Sequence, residues 1–464
     1  MPTELDALSP LDGRYRNKVE ELASFESEAA LIRTRAEVEA KYLVALSEEG
    51  IVRPLSGQER VYLLTFGQNL TTHQILRIKE IETTTRHDVK AVERGLREIL
   101  SDTSLADLIE YIHLALTSED INNLAYRLMA QRAKDEVCIP TIDTLTDKLV
   151  DLADSTKGIV MIGRTHGQAA VPTTLGKELS VFASRLNRQT RQLSGMKLTG
   201  KINGAVGNYN AHRYAFPDVD WEGFSERFVS SLGLEPNLIT TQINSYDDFV
   251  EMFHAFLRIN GIIIGLDQDI WRYISDGWLG QEVRAGEVGS STMPQKVNPI
   301  MFENSEGNLA LANTLFGGMA EKLMQSRLQR DLSDSTTIRN VGTGMGYSVL
   351  AYQSTLSGLN RITPHRANIH QALHANWAVL SEGVQVLLRT KGINDPYSLI
   401  AALTRGESIG AEAWSEWVSG LPGDIDDITR TKLAELTPET YVGDAVALTE
   451  RAVAQIAQSS GMLK

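Results

Sequence analysis

Apolar residues recur at steps of three and four through the middle of the chain. From Phe256 the run is Ile259, Ile263, Leu266, Ile270 and Ile274, which keeps one stripe on one side of a helix for about five turns. Leu309, Ala312, Phe316, Met319 and Leu323 repeat the spacing, as do Met345, Val349, Tyr352, Leu356 and Leu359. A shorter stripe runs through Leu175, Leu179, Phe182 and Leu186. Narrow stripes of this kind suit helices packed nearly parallel. Strand patterns are weak and no βαβ alternation is present, so the pattern predicts an all-α fold built on a bundle of long helices. A helix longer than one domain is wide buries its far end against another subunit, which predicts an oligomer.

Breaks in the pattern divide the chain. The stretch SDTSLAD, beginning at Ser101, separates two helical patterns, and Pro364 follows the last long helix. The expected organisation is an N-terminal helical domain over 1–107, a central bundle over 108–362 and a C-terminal helical domain over 363–464. Between Lys201 and Trp221 the residues Gly204, Gly207 and Pro217 mark an irregular excursion from the bundle. A chain of 464 residues is in any case too long for one hydrophobic core.

Charge and cysteine usage narrow the function. Lys plus Arg number 45 against 59 Asp plus Glu, a net charge of -14, the opposite of what nucleic-acid phosphates require. Taken alone, that balance also argues against an anionic small ligand. The single Cys138 leaves no disulfide framework, CxxC pair or thiolate zinc cluster and fits a reducing compartment. The opening MPTELDALSP lacks a basic segment followed by an apolar core, and the longest aliphatic stretch, Ile262 to Leu266, falls far short of the roughly 20 residues a membrane span needs. A cytoplasmic protein without membrane or nucleic-acid partners is expected.

The most unusual segment is Gly289-Ser-Ser-Thr-Met-Pro-Gln-Lys-Val-Asn-Pro299. By composition it is a polar interhelix loop that offers hydroxyls, backbone N–H groups and one cation, either an ordinary connection or a lid over a ligand. Its order resembles the signature GSSxMPxKxNP of the fumarase/aspartase superfamily, with every fixed position present. GRTHGQ at Gly163 to Gln168 and TSED at Thr117 to Asp120 resemble two further segments of that superfamily, in its order. Within it, SPLDGRY, RHDVKAVE, TSEDINN, KINGAVGNYNAH, TTQI, FENSEGN and RDLSDSTTIRN are similar to the adenylosuccinate lyase branch. Gln295 is the departure: argininosuccinate lyases often carry Gln there, which keeps that branch as the alternative. A non-catalytic descendant of the fold is a third reading, because fold alone never fixes function.

The resemblance implies a long central bundle flanked by two smaller helical domains, with a catalytic lid at 286–299. It implies elimination of fumarate from succinylated purine nucleotides, without cofactor or metal. Such chemistry needs a base for the succinyl β-carbon, a cradle for the carbanion and an acid for the departing nitrogen. By position, Ser290 would be the base, and its hydroxyl would need an alkoxide-stabilising environment from Lys296 and loop N–H groups. Lys296 and Asn298, with Val297 between them, suit the charge that accumulates on a substrate carboxylate. His166 would be the acid, paired with Glu303, and His87 is the rival acid. Arg14, Tyr15, Arg330, Ser335, Thr336, Thr337, Ile338 and Arg339 match phosphate and ribose positions, and Arg86, His87 and Asp88 belong beside the phosphate or base. Thr117, Ser118, Gln242 and Asn304 would hold the carboxylates or ring. Alone, each Arg would be a solvated surface charge. The family assembles each site from three chains of a homotetramer, so the partners expected are small nucleotides and further copies of the chain.

Two other features read as structural. His370 and His374 stand one turn apart with His365 nearby, but the sequence shows no third carboxylate ligand beside them, so surface histidines and no metal are expected. Gly342-Thr-Gly-Met-Gly346 resembles a dinucleotide loop only superficially, and its glycines are expected to permit close helix packing. The acidic balance itself loses its bearing on a mononucleotide once Arg14, Arg86, Lys296, Arg330 and Arg339 are drawn to one cleft, because recognition follows the local field.

Overall fold

A computed structural model of the chain describes residues 4–283, 286, 292–293, 295–404, 409–423 and 425–459. The chain is mainly helical, and the described strands form three two-stranded pairs. It divides into two compact units: Met1–Thr141, Gln189–Gly261 and Gly307–Ala351 make one, and Ile142–Arg188, Ile262–Glu306 and Tyr352–Lys464 make the other. The divisions fall inside long helices, among them Asp247–Ser275, Ile300–Leu323 and Val341–Leu359.

The apolar stripes become core. Phe256, Ile259, Ile263, Leu266 and Ile270 are fully buried, as are Leu309, Ala312, Phe316, Met345 and Tyr352. Ile274, Leu356 and Phe182 of the stripes are half-buried. The helix Asp247–Ser275 has 29 residues, about 43 Å at the standard rise. It is long and apolar enough to cross a membrane by length and composition, yet 61% of its most apolar window is buried within the protein.

In the first unit, Phe253 and Phe256 stack on Phe316, with ring centroids 5.4 and 5.1 Å away. Gly344 makes that approach possible, since a Cβ there would lie 2.8 Å from the Phe316 ring. Gly342 and Gly346 abut Glu26 and Leu11 in the same way, so this glycine run serves helix packing. Polar side chains interrupt the apolar seam at one level: Asn260 Nδ2 donates to Asn313 Oδ1 at 2.9 Å and to Ser348 Oγ at 3.2 Å. All three come from different helices.

In the second unit, Gly358 abuts the ring of Phe302. Asp267 is 1% exposed there, and its Oδ1 accepts from Thr355 Oγ1 at 2.8 Å, with Ser305 Oγ 2.8 Å from the same hydroxyl. Oδ2 has no partner among the described residues. Burial pushes Asp267 up to about 8, against the hydrogen bonds from Ser305 and Thr355, so the group is a neutral acid at neutral pH.

The strand content departs from expectation at one functional place. Val160–Thr165 and Gln168–Thr174 pair as an antiparallel hairpin. Its two-residue turn is His166-Gly167, with φ of 53° and 74°, the left-handed pair a right-twisted hairpin needs. Gly167 adopts that conformation freely, whereas His166 holds it against a side-chain penalty.

Candidate active site

In the first unit, nine of the expected site residues line one cleft of about 690 Å³: Arg86, His87, Asp88, Thr117, Ser118, Gln242, Arg330, Ser335 and Arg339. Three helix ends deliver five of them, Arg86, His87, Asp88, Thr117 and Ser118. Thr72–Thr85 ends at Arg86, which takes φ 49° and turns the chain sharply. His87 then caps the helix Asp88–Ser101, and Thr117 caps Ser118–Ala133. Two helix N-termini thus border the cleft with their positive dipole ends, an arrangement that favours anions.

The hydrogen bonding fixes how His87 faces the cleft. Its Nδ1 accepts the Lys90 backbone N–H at 3.1 Å, so in the neutral ring Nε2 carries the proton. That nitrogen lies 3.4 Å from Ser118 Oγ. The cleft therefore meets an imidazole N–H donor and a hydroxyl side by side.

Asp88, in the same lining, also holds two arginines. Its Oδ2 accepts from Arg35 at 2.7 Å and from Arg339 at 2.9 Å, and its Oδ1 accepts the Val89 N–H. Burial alone would raise its pKa; the Arg35 charge and hydrogen bond, with help from Val89 and Arg339, outweigh burial and hold Asp88 down to about 2. Through these bonds Asp88 orients Arg339.

Arg330 is held from the other side. Glu119 Oε1 lies 3.1 Å from its Nη2, and Gln242 Oε1 accepts from Nη1 at 3.4 Å. Burial raises Glu119 above the usual carboxylate range, and the Arg330 charge opposes that rise. Asn122 bridges the two arginine assemblies, accepting from Arg35 Nε at 2.9 Å and donating to Glu119 Oε1 at 3.0 Å. The result is one polar chain, Arg339–Asp88–Arg35–Asn122–Glu119–Arg330, that sets two guanidinium groups on a common wall.

Asp120 frames the cleft from beneath. It is fully buried with Lys201, at 3.0 Å, and also accepts from the Thr117, Asn203 and Gly204 N–H groups. One carboxylate thereby ties TSED to KING and fixes the Thr117–Ser118 corner. Arg35, Glu119, Asp120, Asn122 and Lys201 were not expected in site roles. No sequence period marks them: Lys201 lies outside any helix, and Arg35 and Asn122 meet across 87 residues of chain.

Other expected residues of this unit lie apart from that lining. Arg14 stands 5.7 Å over the Tyr15 ring. Thr336 and Thr337 are on the short helix Ser333–Ile338. Ile338 is 1% exposed, so its side chain belongs to the core and leaves only its main chain for a ligand.

The second unit carries the remaining set. His166 is exposed at the hairpin tip, and Arg164 braces the turn, donating to Gly167 O at 3.2 Å and lying 5.3 Å over the Trp278 ring. Lys296 is exposed, the Val297 carbonyl accepts from Gln281 at 3.1 Å, and Asn298 is half-buried. Asn304 Oδ1 accepts from Ser354 at 2.8 Å. Glu303 Oε1 accepts from Trp271 Nε1 at 3.1 Å. Among the described residues no hydrogen bond joins Glu303 to His166 within the chain. Ser290 lies outside the described residues. Glu439, distant in sequence, approaches His370 and His374, so the carboxylate missing from their sequence neighbourhood is supplied by the fold.

Comparisons with known proteins give the family of the chain. Residues 24–313 match the family described as Lyase, and residues 326–442 match Adenylosuccinate lyase C-terminal. The chain is 47% identical to Adenylosuccinate lyase of Haemophilus influenzae over 451 residues, covering 96% of this chain and 98% of that protein. It is 45% identical to Adenylosuccinate lyase of Escherichia coli (strain K12) over 452 residues, 97% and 99% of the two chains. In fold it is similar to fumarate lyase from Mesorhizobium sp. BNC1, with a TM-score of 0.75 at 17% identity, covering 94% of this chain and 97% of that one. It is also similar to the 3-carboxy-cis,cis-muconate lactonizing enzyme from Pseudomonas putida, with a TM-score of 0.74 at 18% identity over 95% and 98%. With both stretches matched and near-complete coverage of such relatives, the chain belongs to the adenylosuccinate lyase family of the fumarase/aspartase superfamily.

Proposed function

We propose that the chain eliminates fumarate from adenylosuccinate, giving AMP, and from succinylaminoimidazole carboxamide ribotide, giving the free carboxamide ribotide. The observation that carries this reading is the 45–47% identity to named adenylosuccinate lyases over nearly the whole chain. The cleft supports it with Arg86, Arg330 and Arg339 beside the hydroxyls of Thr117, Ser118 and Ser335, a donor set suited to a phosphate dianion.

In the proposed reaction the Ser290 alkoxide takes a proton from the succinyl β-carbon. The electron pair is held as an aci-carboxylate facing Lys296 and Asn298, the C–N bond breaks to leave fumarate, and His166 gives its proton to the departing nitrogen. The exposure of His166 and Lys296, and the binding of Glu303 to Trp271 within its own chain, support a site completed by other subunits. We infer a homotetramer, in which long helices from four chains bury shared faces. Trp271 and Leu311, 43% and 51% exposed on two of those helices, are apolar area for such faces. A cytoplasmic location accords with the single buried Cys138 and the internal position of most of Asp247–Ser275.

Incubating the purified chain with adenylosuccinate, the succinylated carboxamide ribotide or argininosuccinate, and following fumarate absorbance, tests the proposal. Turnover of both purine substrates is expected. Turnover of argininosuccinate alone, or none by an assembled oligomer, overturns it.

A further inference from the structure

We propose that His370, His374 and Glu439 form a binding site for one divalent transition-metal ion of the zinc class. His370 and His374 lie one turn apart on the helix Arg366–His374, so their imidazoles leave the same side of it. Their ring centroids are 4.1 Å apart. Glu439 comes from the turn that follows the helix Asp427–Ala434. Its Oε1 is 3.4 Å from His370 Nε2 and in contact with His374 Nε2. One donor atom from each of the three side chains lies within 4.8 Å of the other two, so a single ion placed among them reaches all three.

The carboxylate is delivered by a rigid element. The Thr437 N–H donates to Thr440 Oγ1 at 2.9 Å, and the Thr440 N–H donates to Thr437 O at 3.1 Å, which closes the turn around Glu439. Tyr441 then anchors it, donating to Glu382 at 2.9 Å. A turn already fixed by its own hydrogen bonds loses little further freedom when Glu439 takes up an ion.

Two imidazole nitrogens and one carboxylate oxygen are a zinc donor set with a fourth position left for water. Calcium and magnesium, which take oxygen ligands, suit it poorly. His370 is 66% exposed, which gives an ion a path from solvent and leaves room for that water. His365, the third histidine of the segment, is turned elsewhere, over Gly280. Glu439 is 65 residues beyond His374, which is why the sequence spacing shows a pair and the fold shows a triad. A bound ion would tie the helix Arg366–His374 to the turn ahead of the helix Ala445–Ser459, all within one unit. The site stands apart from the proposed chemistry and does not depend on it.

The test is zinc binding by the full-length chain, stripped with a chelator and equilibrated with zinc chloride, beside the His370→Asn/His374→Asn double variant and Glu439→Gln. The wild-type chain is expected to bind one zinc more per chain than the double variant, whose affinity at this site falls at least about 100-fold. Zinc should also raise the melting temperature of the wild-type chain but not that of the double variant. Glu439→Gln, which leaves the helix untouched, should weaken binding in the same direction and keeps the test open if the double variant does not fold. Equal zinc content and affinity in wild type and variants, or no retained zinc and no melting shift in the wild type, overturns the proposal.

Discussion

Arg35 and Arg339 donate to the same oxygen of Asp88, at 2.7 and 2.9 Å. Arg35 is 1% exposed and never reaches the cleft, whereas Arg339 lines it. The buried guanidinium keeps Asp88 ionised, and the ionised Asp88 aims the exposed guanidinium. Arg35 is thus a positioning residue. Replacing it with Met should raise KM for the nucleotide roughly tenfold, about 1.4 kcal/mol, with kcat far less affected. Removing one partner of a buried pair should also cost stability, about 3–5 kcal/mol. Arg35→Lys, which keeps the charge but not the fork, should recover part of the affinity. Steady-state kinetics on both variants separates this role from a merely structural one, which would leave KM unchanged in the folded fraction.

Ser290→Ala and His166→Ala should each abolish most turnover while leaving nucleotide binding within a few-fold, about 1 kcal/mol. If one site draws the two residues from different subunits, mixed oligomers of these inactive chains regain a fraction of the activity. Mixing under conditions that exchange subunits, with the mixed species verified by native mass spectrometry, measures this. No recovery in verified mixed oligomers would sink the shared-site reading.

Asp267 gives the helix core a pH dependence. Its folded pKa of about 8 exceeds the unfolded value of about 3.9, so between those limits the folded chain binds a proton that the unfolded chain has lost. Stability from this group is therefore complete below about pH 4 and declines as pH rises toward 8, by up to about 1.4 kcal/mol per unit. Asp267→Asn, neutral at every pH, should flatten that decline and be most stabilising relative to wild type near pH 8. Melting curves across this range show it; parallel curves for the two proteins would refute a raised Asp267.

Gly344→Ala introduces a Cβ 2.8 Å from the Phe316 ring, inside van der Waals contact. Phe316 is itself held by Phe253 and Phe256, so it has little room to move. A stability loss of about 1–3 kcal/mol is expected, read from denaturant midpoints. An unchanged midpoint would mean that the ring yields freely.

Much of the fold was legible because a packed helix writes its contact face into the sequence at steps of three and four. Ile259, Leu266, Leu309 and Phe316 lie in that pattern and are fully buried. The hairpin at His166 was not legible, since its strands are short and its turn depends on a left-handed His. In the cleft, Arg330, Arg339 and Ser118 stood out through their motif settings. Arg35, Asn122 and Glu119 did not, because a buried hydrogen-bonded chain has no sequence period; each member is specified by partners tens of residues away. The hold of Asp88 on two arginines was hidden for a related reason. Adjacency to His87 suggests a ligand contact, while the geometry shows an oxygen already occupied by two arginines.

The polar layer of Asn260, Asn313 and Ser348 has a consequence for how the long helices are assembled. Apolar stripes that repeat every seven residues match almost as well when one helix slides along another by a heptad, about 10 Å. Such a slide would part the Asn260 amide from Asn313 and Ser348, and losing hydrogen bonds at a buried group is costly. The layer therefore works as an axial stop. Loops at the ends of these helices inherit a defined height along them from three side chains that meet between the helices.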